Sequence, residues 1–115
     1  MSESELNISV ESHKRVSVVT VAGRIDSTNA NQLDSTLKQL LENGENNLVI
    51  QLSGVEYMSS AGLRAIVAAL REAKKKRGDV RIAEPSERVT EVFSLAGLTA
   101  LFETYDDLTT AVGSF

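Results

Sequence analysis

Leu6, Ile8 and Val10 alternate with Asn7, Ser9 and Glu11, which is the period of a strand with one exposed face. A second strand follows at Val16-Ser-Val-Val-Thr-Val-Ala, β-branched and more evenly apolar, and Gly23 ends it. His13, Lys14 and Arg15 form a short polar hairpin connection between the two. Asp26, Ser27, Thr28 and Asn29 then offer N-caps for a helix whose stripe is Ala30, Leu33, Leu37, Leu40 and Leu41, stopped by Asn43-Gly44. Leu48-Val-Ile-Gln-Leu52 is a nearly continuous apolar run, the pattern of a central strand covered on both faces.

A loop from Ser53 to Ser60 leads into a second helix carrying Leu63, Ile66, Val67 and Leu70 and ending in Lys74-Lys-Lys-Arg77 before Gly78. Val80-Arg-Ile-Ala83 reads as a fourth strand closed by Pro85, and Val89, Val92, Phe93 and Ala96 as a third helix ending at Gly97. Leu101–Tyr105 gives a fifth strand, and Leu108, Ala111 and Val112 a last helix. The expected fold is therefore α/β, a mixed sheet of four to five strands with about four helices, in a single domain over residues 1–115.

Composition removes most other classes. A chain of 115 residues buries about two-thirds of its unfolded surface, enough for one hydrophobic core. Twelve Lys and Arg against sixteen Asp and Glu give a net charge of −4, which works against nucleic acid or an anionic membrane as partner. Cysteine is absent and His13 is the single histidine, so thiol chemistry and His-pair metal sites are excluded. No apolar run approaches a membrane span, and the opening Met1-Ser-Glu-Ser-Glu is no signal peptide, so a cytoplasmic location is expected.

The informative stretch is Val55-Glu-Tyr-Met-Ser-Ser-Ala-Gly-Leu-Arg64, where two serines sit at the turn from a central strand into a helix. Unpaired N–H groups at a helix start suit an oxyanion or a phosphate, and a serine held there is open to modification. Ser59 or Ser60 can equally serve as a plain N-cap. A nucleophile elbow fails because Met58 takes the first glycine position and no histidine base belongs to the loop. No Walker or dinucleotide-binding glycine pattern is present. The chain is not expected to be an enzyme, and no cofactor is implied.

Leu52-Ser-Gly-Val-Glu-Tyr-Met-Ser-Ser-Ala-Gly-Leu-Arg resembles the signature loop of STAS domains, with the bacterial anti-sigma factor antagonists as the nearest group. Gly23-Arg-Ile-Asp26 is similar to the family's Gly-x-Leu-Asp segment, and the order of elements agrees over essentially the whole chain. The resemblance implies a protein that binds an anti-sigma factor, itself a serine kinase, and so frees a sigma factor for transcription. Phosphorylation of a loop serine by that kinase would end the binding, and a phosphatase would reverse it. The family loop reads aromatic-x-Asp-Ser-Ser/Thr-Gly-Leu. Its acid falls on Ser59, its phosphoacceptor on Ser60 and its second hydroxyl on Ala61, while Gly62 and Leu63 match directly.

Two positions depart from that pattern. Ser59 replaces the acid, which leaves Ser59 as an alternative acceptor to Ser60, and Gln51 stands where many relatives have Asp. A member that binds without being phosphorylated, as a non-switching subunit of a larger signalling or transport complex, is the second reading. Expected partner-binding residues are Asp26, Tyr57, Met58, Ser59, Ser60 and Gly62. Asp26 serves equally as a turn or capping residue, and Tyr57 and Met58 either meet a partner or tuck into the core. The run Lys74–Arg77 is either a patch for an acidic partner or a helix end whose cations complement the macrodipole.

Overall fold

The computed structural model describes residues 5–115, so the polar opening at residues 1–4 lies outside the described residues. The elements run β1 (Leu6–His13), β2 (Val16–Ile25), α1 (Ala30–Glu42), β3 (Asn47–Met58), α2 (Ser60–Lys75), β4 (Asp79–Ala83), α3 (Glu87–Leu95), β5 (Thr104–Tyr105) and α4 (Leu108–Gly113). Their order and type are those expected from the pattern of apolar positions. The sheet has the order β1-β2-β3-β4-β5, with β1 antiparallel to β2 and every other pair parallel.

The parallel strands need crossover helices, and those helices cover one face. Leu33, Leu37 and Leu41 of α1, Ile66 and Leu70 of α2, and Val89 and Phe93 of α3 join Val19, Val21, Leu48, Ile50, Leu52 and Ile82 in the larger core. The opposite face carries a smaller cluster in which Ala111 and Leu108 of α4 meet Val16, Val18, Val49 and Ala83. The stripe expected for α1 is the buried set observed, Ala30, Leu33, Leu37, Leu40 and Leu41.

Three boundaries differ from the sequence reading, each for a physical reason. Gly23 does not end β2, which continues to Ile25. It sits inside the strand at φ +102°, where a Cβ would stand 2.1 Å from the Glu5 carbonyl oxygen. The loop expected from Ser53 is instead strand as far as Met58. Here β3 carries two irregularities against β2, where Thr20 and Ala22 pair with Gln51 and Gly54, and Gly23 and Arg24 pair with Val55 and Tyr57. Each inserts one extra residue, so the buried positions Leu52, Val55 and Met58 recur every third residue instead of every second. That spacing disguises the strand. β5 is only Thr104–Tyr105, because Phe102 turns into the core ahead of it and packs on Phe93 with ring centroids 5.6 Å apart. Ala96, expected on the apolar stripe of α3, follows the helix end and is exposed.

Three of the four cations in the basic run at the end of α2 are engaged locally. Lys74 pairs with Asp79 at 3.3 Å, Lys75 lies 4.0 Å from Glu72, and Lys76 Nζ donates to the Leu41 carbonyl at the end of α1 at 2.9 Å. These contacts fit the helix-end reading. Gln51 is likewise engaged, donating to Glu84 at 2.7 Å and accepting from the Ser53 N–H at 3.1 Å.

Neighbouring positions on α1 separate core from surface. Leu37→Ala is expected to cost about 2–5 kcal/mol by urea unfolding, since the side chain is fully enclosed. Lys38→Ala removes only an exposed pair with Asp34 at 3.1 Å and is expected to cost no more than about 0.5 kcal/mol.

Candidate functional site

The extended β3 delivers its last residues beside the end of β2, and α2 starts at once. Arg24 and Ile25 pair with Tyr57 and Met58, and the Ser59 N–H then donates to the Ile25 carbonyl at 2.8 Å. This hydrogen bond fixes the start of α2 against β2. Asp26 follows Ile25 directly, at the end of β2 to which the start of α2 is tied.

The serines divide the work. Ser59 is the N-cap, with extended backbone and an Oγ that accepts from the Gly62 N–H at 3.3 Å, while its carbonyl accepts from Leu63 at 3.1 Å. Ser60 is the first helical residue and is exposed, and its hydroxyl has no hydrogen-bond partner among the described residues. Gly62 and Met58 are both buried. A Cβ on Gly62 would stand 2.7 Å from Ile25 Cγ2 and 3.1 Å from Met58 Cγ, so the first turn of α2 sits directly on those two side chains. Met58 and Gly62, expected among the partner-binding residues, are thus buried beneath the serines, which for Met58 is the core alternative. They form the floor on which the serines rest. Tyr57 points outward, 38% exposed, with the Arg24 guanidinium 4.7 Å above its ring.

Asp26 is held by its own turn. Its Oδ1 accepts from the Thr28 N–H at 2.9 Å and from Thr28 Oγ1 at 2.5 Å, and its N–H donates to Asn29 Oδ1 at 2.9 Å. The Thr28 hydroxyl, then the Thr28 N–H, hold this carboxyl below the ordinary aspartate range. Asn29 in turn ties back through Nδ2 to the Arg24 carbonyl at 2.9 Å, so the turn is locked to the end of β2. Asn29 takes the N-cap position of α1 but makes no side-chain cap to the helix.

A recess of about 510 Å³ opens beside Ser60, lined by Leu63, Arg64, Val67 and Arg71 of α2 and by Ala96 and Leu98 beyond α3. Leu95, at the end of α3, is 85% exposed. Leu63, Val67 and Ala96 were expected only as apolar positions of their helices, and Arg64, Arg71, Leu95 and Leu98 were not singled out in the sequence. The signal available was Leu95 falling off the Val89–Phe93 stripe, and Arg64 interrupting the apolar start of α2.

Residues 7–111 match the STAS domain family. The chain belongs to it. The anti-sigma-B factor antagonist of Bacillus subtilis is 33% identical over 98 residues, spanning 85% of this chain and 89% of that protein. The crystal structure of an anti-sigma factor antagonist from Mycobacterium paratuberculosis superposes with a TM-score of 0.87 at 30% identity, covering 96% of this chain and 93% of the other. The antagonist SpoIIAA shares the fold in its unphosphorylated form, with a TM-score of 0.81 at 19% identity over 92% of this chain and 93% of that one. Its phosphorylated form does so with 0.77 at 17% identity over 94% and 98%.

This STAS domain thus presents an outward Ser60, an inward Ser59 and an apolar recess on one surface. Among the described residues no group of three or more acids and histidines is placed to hold a metal ion. No helix among them is long and apolar enough to cross a membrane.

Substitutions separate floor from surface. Gly62→Ala brings about 1–3 kcal/mol of overpacking against a helix-propensity gain of about 1 kcal/mol or less, so a net loss of stability is expected by denaturant unfolding. Ser59→Ala is expected to cost about 0.5–2 kcal/mol as a lost cap. Ser60→Ala is expected to stay within about 0.5 kcal/mol of the parent.

The Asp26 turn predicts a pH dependence. Because its folded pKa is depressed, its stabilisation is complete above the ordinary aspartate range and is lost as pH falls through the lower folded value. The parent is therefore expected to be more stable than Asp26→Asn near neutral pH, with the gap closing below about pH 4. Paired thermal melts across pH 2.5–7 check this, and a gap that widens on acidification contradicts it.

Proposed function

We propose that this chain is an anti-sigma factor antagonist that binds an anti-sigma factor of the serine-kinase type and is switched off by phosphorylation of Ser60. The observation that carries the reading is the division between the serines. Ser59 Oγ is spent on the Gly62 N–H, whereas Ser60 Oγ is exposed and free of partners among the described residues. A kinase can therefore reach Ser60 without dismantling the helix start. The relatives named above, antagonists of anti-sigma factors, support this reading, and both forms of SpoIIAA share this fold. The role is that of a binding module acting in transcriptional control, with a phosphatase as the second partner.

In the modification, Ser60 Oγ forms a bond to the γ-phosphorus of ATP as the bond to the β,γ-bridging oxygen breaks. ADP leaves, and the hydroxyl proton passes to a base on the kinase. The product carries roughly −1.5 to −2 charges at neutral pH. Near the start of α2 that charge is favourable by about 0.3–1 kcal/mol, so the modified domain remains folded. Loss of binding then arises at the interface, where a surface that accepted a neutral hydroxyl meets a dianion that must be desolvated. Asp26, Tyr57 and the recess beside Ser60 form the contact surface around the switch.

Incubation with candidate anti-sigma kinases and ATP, followed by site-resolved mass spectrometry, is expected to find phosphate on Ser60. Phosphate confined to Ser59 overturns the assignment, and stable binding with no phosphate at either serine favours a non-switching subunit. The phosphorylated form is expected to melt at or slightly above the temperature of the parent. Ser60→Asp is expected to weaken kinase binding while the fold is kept, and Ser60→Ala to bind without being switchable. A fall of many degrees on phosphorylation would replace the interface mechanism with a conformational one.

A further inference from the structure

Arg64 stands four residues after Ser60 on α2, about 6 Å further along the axis and on the same side of the helix. Both residues are exposed and line the same recess, together with Leu63, Val67 and Leu98. Arg64 makes no ion pair with any described residue, whereas several other charged groups on the neighbouring elements are engaged. Arg24 lies over Tyr57, Asp26 is held in its turn, Asp34 is paired with Lys38, and Arg88 is 4.0 Å from Glu91 on α3. Glu56, on β3, is exposed and acidic and offers no cation. Arg71 also lines the recess but lies eleven residues on, about 16 Å along the axis, too far to meet a group on Ser60 directly.

We propose that Arg64 is the internal clamp for a phosphoryl group on Ser60, turning the phosphoserine along the outer face of α2 and over the mouth of the recess. A guanidinium presents a planar fork of donors that matches phosphate oxygens, and the i,i+4 spacing brings the two side chains together without moving the backbone. The clamp has two consequences. It withdraws the Arg64 charge from any partner, and it sets a hydrated dianion beside Leu63 and Val67. One modification thereby alters both the electrostatic and the apolar part of the same surface. This inference rests on Ser60 as the acceptor in the proposed switch, but its test does not need the kinase.

Phosphoserine is installed at position 60 during translation, and its second ionisation is followed by phosphorus NMR in low salt. The midpoint in the parent is expected to lie a few tenths of a pH unit below that of Arg64→Gln, because the cation favours the dianion. Arg64→Lys is expected to restore part of the shift, and 1 M NaCl to shrink the difference between parent and Arg64→Gln. Any contribution from the helix end is common to all variants and cancels in the comparison. Equal midpoints in parent and Arg64→Gln at low salt overturn the clamp, provided the unmodified proteins melt alike. Failure of a kinase to modify Ser60 in the separate assay bears on the switch alone.

Discussion

The site depends on the seat of α2's first turn on Ile25 and Met58. With no side chain at Gly62, the helix start comes down onto those two residues, and the Ser59 N–H reaches the Ile25 carbonyl at 2.8 Å. The end of one strand, the end of its neighbour and the start of a helix are tied at one point. The Asp26 turn is tied to the same point through Asn29 and the Arg24 carbonyl. Moving α2 outward would break the Ser59 hydrogen bond and open a gap over Ile25. A rigid mount of this kind holds a modifiable side chain in fixed geometry without demanding anything of the side chain itself.

The strand irregularities make that mount possible. A regular β3 would alternate faces at every residue, and Leu52, Val55 and Met58 could not all point into the core. The two extra residues opposite β2 reset the alternation twice, so Met58 arrives facing inward where Gly62 needs it. The same shifts turn Tyr57 outward, within reach of Arg24. One backbone device thus supplies both the floor of the site and part of its exposed rim.

Much of this was legible in the sequence. Helix α1 could be read residue by residue because Leu33, Leu37, Leu40 and Leu41 keep one helical period and an uninterrupted polar face. Hairpin, element order and mixed sheet followed from alternation and from the turn residues between runs. What escaped detection was irregular or tertiary in origin. Ser53-Gly-Val-Glu-Tyr-Met58 reads as a loop because its buried positions are three apart, a spacing that neither strand nor helix periodicity captures. Gly23 looked like a strand end because a positive φ inside a strand is invisible without the neighbouring Glu5 backbone. For the site, the family pattern located the loop, but two adjacent serines are equivalent by cap propensity. The resemblance laid the acceptor on Ser60 with Ser59 as the alternative, and the three-dimensional register adds that Ser59 accepts from the Gly62 N–H while Ser60 stays outside.

That separation decides where the consequences of a modification fall. A phosphate on Ser59 would replace the hydroxyl that caps the Gly62 N–H at a half-buried position, so its effect would fall on the helix start itself. A phosphate on Ser60 would instead meet solvent, the helix start and, by the proposed clamp, the Arg64 side chain. A switch that must be reversed by a phosphatase works best when the modified protein stays folded and its new group stays accessible. Of the two serines, Ser60 is exposed and Ser59 is the half-buried cap, so the proposed switch fits Ser60. In the proposed switch the energy would come from the partner's side of the contact, where a desolvated dianion costs far more than the small favourable term it gains at the helix end.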